Sequence, residues 1–139
     1  MASETDVAVA LLARCATLTY GSPVMPVAMP DVTFTPPTAA NGSPLPYFRV
    51  DLFRNAPFWS SLSHGKKAQG LLQVTVVWPK GKGIIKSSQA ADAVEAHFHK
   101  NLRLPTPSGT VKVSGDPWAA APLIDDTDTE TPVTIPWRA

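Results

Sequence analysis

The chain has little of what marks secreted, membrane-spanning or nucleic-acid-binding proteins. Cysteine occurs once, at Cys15, so no disulfide can form within the chain, which fits a reducing compartment. No apolar run approaches the roughly 20 residues that a membrane-crossing helix needs. The opening carries Glu4 and Asp6 where a secretory signal would be basic. A soluble protein made in the cytoplasm is the expectation. Formal net charge is +1, without the basic excess of a nucleic-acid binder or the acidic excess of a solvated tail. Any electrostatic recognition must therefore be local. Locally, charge is missing one sign at a time: no acid falls between Arg54 and Lys86, and no base between Ser114 and Thr131.

At 139 residues the chain suits one domain spanning 1–139, long enough to bury about two-thirds of the surface its unfolded form would expose. Its 15 prolines are about twice the usual ~5% share. Seven lie from Pro23 to Pro46 and six from Pro105 to Pro136. The centre, nearly free of proline, organises the rest. There Gly70 to Trp78 places Leu72, Val74, Val76 and Trp78 on one face, and Leu71 and Val77 beside Gln73 and Thr75 on the other. Partial cover on both faces predicts a central strand. A Pro79-Lys80-Gly81-Lys82-Gly83 turn follows, then a helix from about Ser87 with Ala90, Ala91, Val94, Phe98 and Leu102 in one stripe. Ser87 or Ser88 is the expected cap, and Leu104-Pro105 the expected stop.

Towards the start, Ser3-Glu4-Thr5-Asp6 resembles a capping box, and Ala8, Leu11, Leu12, Cys15 and Leu18 follow at helical spacing. Prolines 23, 26 and 30 confine the segment after it to an edge strand or an extended arm. Residues 35–46 read as a loop. Phe48, Val50 and Leu52 alternate with polar or exposed positions as a strand does. Residues 55–69 read as a second long loop, of a length that is usually functional or ordered by a partner. Two further strands, 110–114 and 131–137, are expected at sheet edges, the second because of Pro132 and Pro136. The order predicts an α+β fold, a two-layer sandwich with two helices packed on one face of a mainly antiparallel sheet.

A search for chemistry finds no nucleophile with a base and no paired acid and base. The Pro79–Ser88 turn lacks the joined Gly-Lys-Ser/Thr of a phosphate loop, because Ile85 precedes Lys86; a flexible turn with solvated lysines accounts for it. His97 and His99, two apart on a helix, point about 200° apart and cannot share a metal. Cys15 lies on an apolar stripe, as a small core residue does. Asp125, Asp126 and Asp128 lack the glycine and closing glutamate of a calcium loop. No catalytic, cofactor or metal site is expected. What remains is surface: Phe58 and Trp59, read either as a satellite cluster under the loop or as an interface anchor; His64; and the basic set Arg54, Lys66, Lys67, Lys80, Lys82 and Lys86. Opposite in sign stand Asp116, Asp125, Asp126, Asp128 and Glu130. Solvated faces explain such sorting, and so does head-to-tail association between copies, in which Lys80, Lys82 and Lys86 of one subunit meet Asp125–Glu130 of the next.

Four successive motifs, Phe34-Thr35-Pro36-Pro37, Pro46-Tyr47-Phe48-Arg49-Val50, Gly70 to Val76 with Pro79-x-Gly81-x-Gly83, and Ala90 to Phe98, resemble the tail-terminator (tail-completion) proteins of long-tailed bacteriophages. The resemblance runs from the first helix to Phe98. It implies an α+β subunit without enzymatic activity or cofactor, assembled as a homo-oligomeric ring, a hexamer, in the tail and neck of the virion. Such a ring caps the tail tube, ends its growth and meets the head–tail connector, while DNA passes through its lumen without specific binding. Another neck or tail-assembly component of the same fold is the alternative. A small phosphate-ligand enzyme using the Pro79–Ser88 turn is the reading from a different class.

Overall fold

The computed structural model describes residues 2–21, 23–63 and 65–139; His64 lies outside them. Helix α1 (Glu4–Ala16) starts where expected, the Ser3 hydroxyl accepting from the Asp6 N–H at 3.1 Å. Its buried stripe is Val7, Leu11 and Cys15. The proline-stiffened segment then contributes only a two-residue edge strand, β1 (Val27–Ala28), parallel to the next.

Strands β2 (Tyr47–Ser61) and β3 (Gly65–Pro79) form one antiparallel hairpin of 15 residues a side. The loop expected over 55–69 is instead paired backbone, with Asn55 opposite Gln69, Phe58 opposite Lys67 and Trp59 opposite Lys66. Pro57 is accommodated because the register shifts between Asn55 and Phe58, so an extra residue bulges out of the ladder. A second shift follows between Trp59 and Ser61.

Helix α2 (Ile85–His97) begins two residues before the expected Ser87 and ends well before Pro105. Its N-cap is Ile84, with no side-chain cap; the buried Ser87 hydroxyl donates to the Ile84 carbonyl at 3.0 Å. Neither serine caps the helix. At the other end, Asn101 takes a positive φ of 68° and the chain turns into β4 (Arg103–Thr106), so Pro105 lies inside an edge strand. Then come β5 (Gly109–Val113), the two-residue strands β6 (Trp118–Ala119) and β7 (Leu123–Ile124), and β8 (Asp128–Arg138).

Among the described residues the sheet has eight strands in the order β1-β2-β3-β8-β5-β4, with β6 and β7 also on β8. Strand β3 is central, as its two-sided apolar pattern predicts. Strand β8 is central too, against expectation. Pro132 and Pro136 are tolerated because both stand at even positions, whose carbonyls face away from β3 and accept from Ala120 (2.8 Å) and Ser114 (3.0 Å). An extended residue's N–H and C=O point to the same side, so the odd residues keep the β3 ladder intact. The missing donors fall on the side where β5, β6 and β7 pair only in pieces.

One core holds the fold together. Val7, Leu11 and Cys15 from α1, with Ala90, Ala91 and Val94 from α2 and Phe98 after it, meet Phe48, Val50, Leu72, Val74, Val76, Val133, Ile135 and Trp137 of the sheet. The chain is 42% strand and 19% helix, α+β, and its sheet curls into a half-barrel. The helices also clamp each other at their C-terminal ends: Arg14 donates to the His97 carbonyl from Nε (3.2 Å) and Nη2 (2.8 Å), while the His97 ring bonds the Arg14 carbonyl (2.9 Å) and the Thr17 hydroxyl (3.0 Å). A cation on the last carbonyls of α2 is also favourable to its dipole.

Candidate functional site

The β2–β3 hairpin outruns the sheet. The ladder to β8 ends at Gln69 opposite Arg138, closed by the reciprocal Ala68–Ala139 backbone bonds; past that point, the described pairing of the hairpin is only its own. The overhang reaches roughly 15 Å at ~3.3 Å per residue. It places aromatic and basic side chains in pairs. Trp59 is 62% exposed, with the Lys66 ammonium 5.7 Å from its ring; Phe58 is half-buried under the Arg138 guanidinium at 4.8 Å. Both are cation–π distances. Leu62, at the turn, is fully exposed. Phe58 is thus covered by a guanidinium and not by a loop, and Trp59 stays largely exposed. Lys67 stands across from Phe58. Sequence reasoning named these residues but not their pairing, because Pro57 and the glycine at 65 hid the strand period.

The opposite end of the same ladder carries the other predicted charges. Pro79 faces Asp128 and the Lys80 N–H donates to the Thr127 carbonyl at 3.2 Å, so the 79–83 and 125–128 turns adjoin within one chain. Lys80, Lys82 and Lys86 are exposed and share a hollow of about 540 Å³ with Pro44, Leu45 and Trp78. Gly81 and Gly83 take φ of 87° and 76°, a turn that only glycine enters without strain. Asp125 and Asp126 are exposed and Asp128 is half-buried. Among the described residues the ion pairs are those of Arg49, a two-point fork to Glu130 (2.9 and 3.3 Å) and a 3.8 Å contact with Asp51. Basic and acidic turns expected on separate surfaces are therefore neighbours here, and the lysines and Asp125–Asp128 do not pair with each other.

The pairing of Arg49 with Glu130 is not legible in the sequence, where Glu130 reads only as part of the acidic run. The two side chains reach across β3 over Thr75 and Val77, which face away from the helices yet are 2% and 1% exposed. The bond to Glu130 raises the Arg49 pKa, while burial first and the nearby Asp128 second push the Tyr47 phenol up. The available signal was outward placement on two strands, which does not say that the strands are next-but-one neighbours.

Cys15 and Ser87 are buried, and His97 is held neutral. Burial pushes the Cys15 thiol up to about 12, far from a thiolate at neutral pH. Burial holds the His97 imidazole below its ordinary value. Ser87, in the turn once weighed for phosphate, is fully buried. Among the described residues no three His, Cys, Asp or Glu side chains stand together as a metal site would require, and no helix is long and apolar enough to cross a membrane. A hollow of about 650 Å³ is lined chiefly by Pro23, Val24, Met25, Pro26, Leu45 and Trp78.

The fold and this surface define an α+β protein whose distinctive side chains stand on a projecting hairpin and on turns. A family model described as phage tail terminator protein matches residues 6–137, and the chain belongs to that family. It is accordingly a structural, non-enzymatic component of phage tail assembly. The match extends past Phe98, where the recognisable motifs stop, to the end of β8. A solved structure superposes with a TM-score of 0.77 at 24% identity, covering 99% of this chain and 96% of the other; at that identity the likeness is one of fold. No curated protein matches.

Proposed function

We propose that the chain, acting as one domain over 1–139, is the subunit of a ring, a hexamer, that caps the tail tube, halts its growth and forms the junction to the head connector in the neck of the virion. The match to the tail-terminator family over 6–137 carries this reading. The overhanging hairpin and the edge strands β1 and β4 support it, since exposed edges and arms are what a subunit uses to reach neighbours. Tube protein and connector are the partners, and DNA crosses the lumen without specific attachment. Strong lysine–phosphate binding there would retard its passage in a salt-dependent way.

Electron microscopy of phage lacking the gene is the test. Tubes of irregular, excessive length without joined heads are expected, and complementation in trans should restore both. Tails of normal length joined to heads in the absence of the chain would overturn the proposal.

A further inference from the structure

We infer that subunits associate head to tail by seating the β2–β3 hairpin of one copy on the β6–β7 margin of the next. This rests on the ring reading above and specifies its interface. The two surfaces are complementary in charge and both are partly apolar. The hairpin offers Trp59 and Leu62, 62% and 100% exposed, flanked by Lys66 and Lys67. The margin offers Trp118, Leu123 and Ile124, 50%, 61% and 70% exposed, with Asp125 and Asp126 beside them. Asp125 and Asp126 take part in no described ion pair, and Asp125 Oδ1 accepts the Asp126 N–H at 2.6 Å.

Position agrees with chemistry. The hairpin projects beyond Gln69–Arg138, one end of the β3–β8 ladder, while the margin runs from Trp118, opposite Thr134 near mid-ladder, to Ile124, opposite Thr129 beside the other end at Pro79–Asp128. An interface made by two different patches at opposite ends of a subunit is heterologous, and a heterologous contact whose rotation closes makes a ring. Lys80 and Lys82 stand beside the acidic turn of their own chain, whereas the hairpin lysines stand apart from it. Strands β6 and β7, two residues each and paired to β8 on one side, leave an edge that a neighbour can cover.

The experiment uses the full-length chain in two variants, Lys66→Glu with Lys67→Glu, and Asp125→Lys with Asp126→Lys, with assembly on isolated tube ends read by electron microscopy and native mass spectrometry. All four residues are exposed or half-buried, so circular dichroism should show both variants folded. Each variant alone places like charges in the contact and should assemble roughly tenfold less or worse. Mixing the two should restore rings, alternating in composition, because each reversed surface then meets its reversed partner. The four-substitution chain should also assemble by itself. Full assembly of each single variant, or no gain on mixing, overturns the hairpin contact while leaving the capping ring standing. Wild-type chain absent from tube ends overturns both. If the lysine variant assembles normally but loses affinity for duplex DNA, the hairpin serves nucleic acid and the inference is wrong.

Discussion

At the scale of single residues, close approach and burial decide which positions accept change. Gly70 lies where the hairpin meets Trp137: a Cβ there would run into the Phe53 carbonyl and the indole ring, so the position is closed to any larger residue for reasons of space. Cys15, fully buried and far from ionising, is a packing atom. Among the described residues, His97 has a pKa lowered from its ordinary value near neutral pH. Its neutral ring bonds Arg14 and Thr17, and burial, then the Arg14 charge, disfavours protonation in the fold. As pH falls, the unfolded chain therefore takes up the proton first. The stability contributed is complete above the ordinary value of 6.5 and is lost as pH falls through the lower native value. Urea midpoints should decline across that window, and His97→Gln, measured by the same denaturation series, should flatten the decline.

At the scale of elements, the β2–β3 hairpin divides into two parts with different duties. From Tyr47 to Asn55, paired with Gln69 to Val77, it is built into the core sheet. Beyond Ala68 it rests mainly on itself and on the Phe58–Arg138 contact. Cutting the tip, by replacing 59–66 with a two-residue Asn-Gly turn, should cost little: about 1 kcal/mol or less, the order of one exposed cation–π contact. Thermal melts by circular dichroism check that, and the trimmed protein should fold yet fail to assemble. The β8 strand shows the converse economy. Its prolines sit only where the neighbouring pairing is already broken, so strand and proline coexist in the middle of a sheet.

At the scale of the whole molecule, a net charge of +1 conceals local clusters along the β3–β8 axis, with Lys66, Lys67 and Arg138 gathered at one end, and Asp125 and Asp126 beside the Lys80–Lys82 turn at the other. An assembly held partly by such exposed charges must respond to salt. Screening shortens from ~10 Å at 0.1 M to ~3 Å at 1 M, so rings on tube ends should form more slowly and dissociate faster as salt rises. Light scattering or single-particle counts at graded ionic strength would read this, and indifference to salt would assign the contact to its apolar part alone.

The sequence by itself determined the parts governed by short-range physics. The capped first helix, the two-sided pattern of β3, the α2 stripe through Val94 and Phe98, the α+β class and the family all follow from spacing and motif succession within neighbouring residues. Only the tertiary structure decided what depends on partners distant in the chain. Pro57 and Pro132 look like breaks locally, yet a bulge absorbs one and the partly paired side of β8 absorbs the other. The same holds for charge: the sequence sorted it into runs, but the β3–β8 register set Lys80 beside Thr127, bridged Arg49 to Glu130, and left Lys66 and Asp125 at separate ends. A register is a property of two strands together, and no single stretch of sequence contains it.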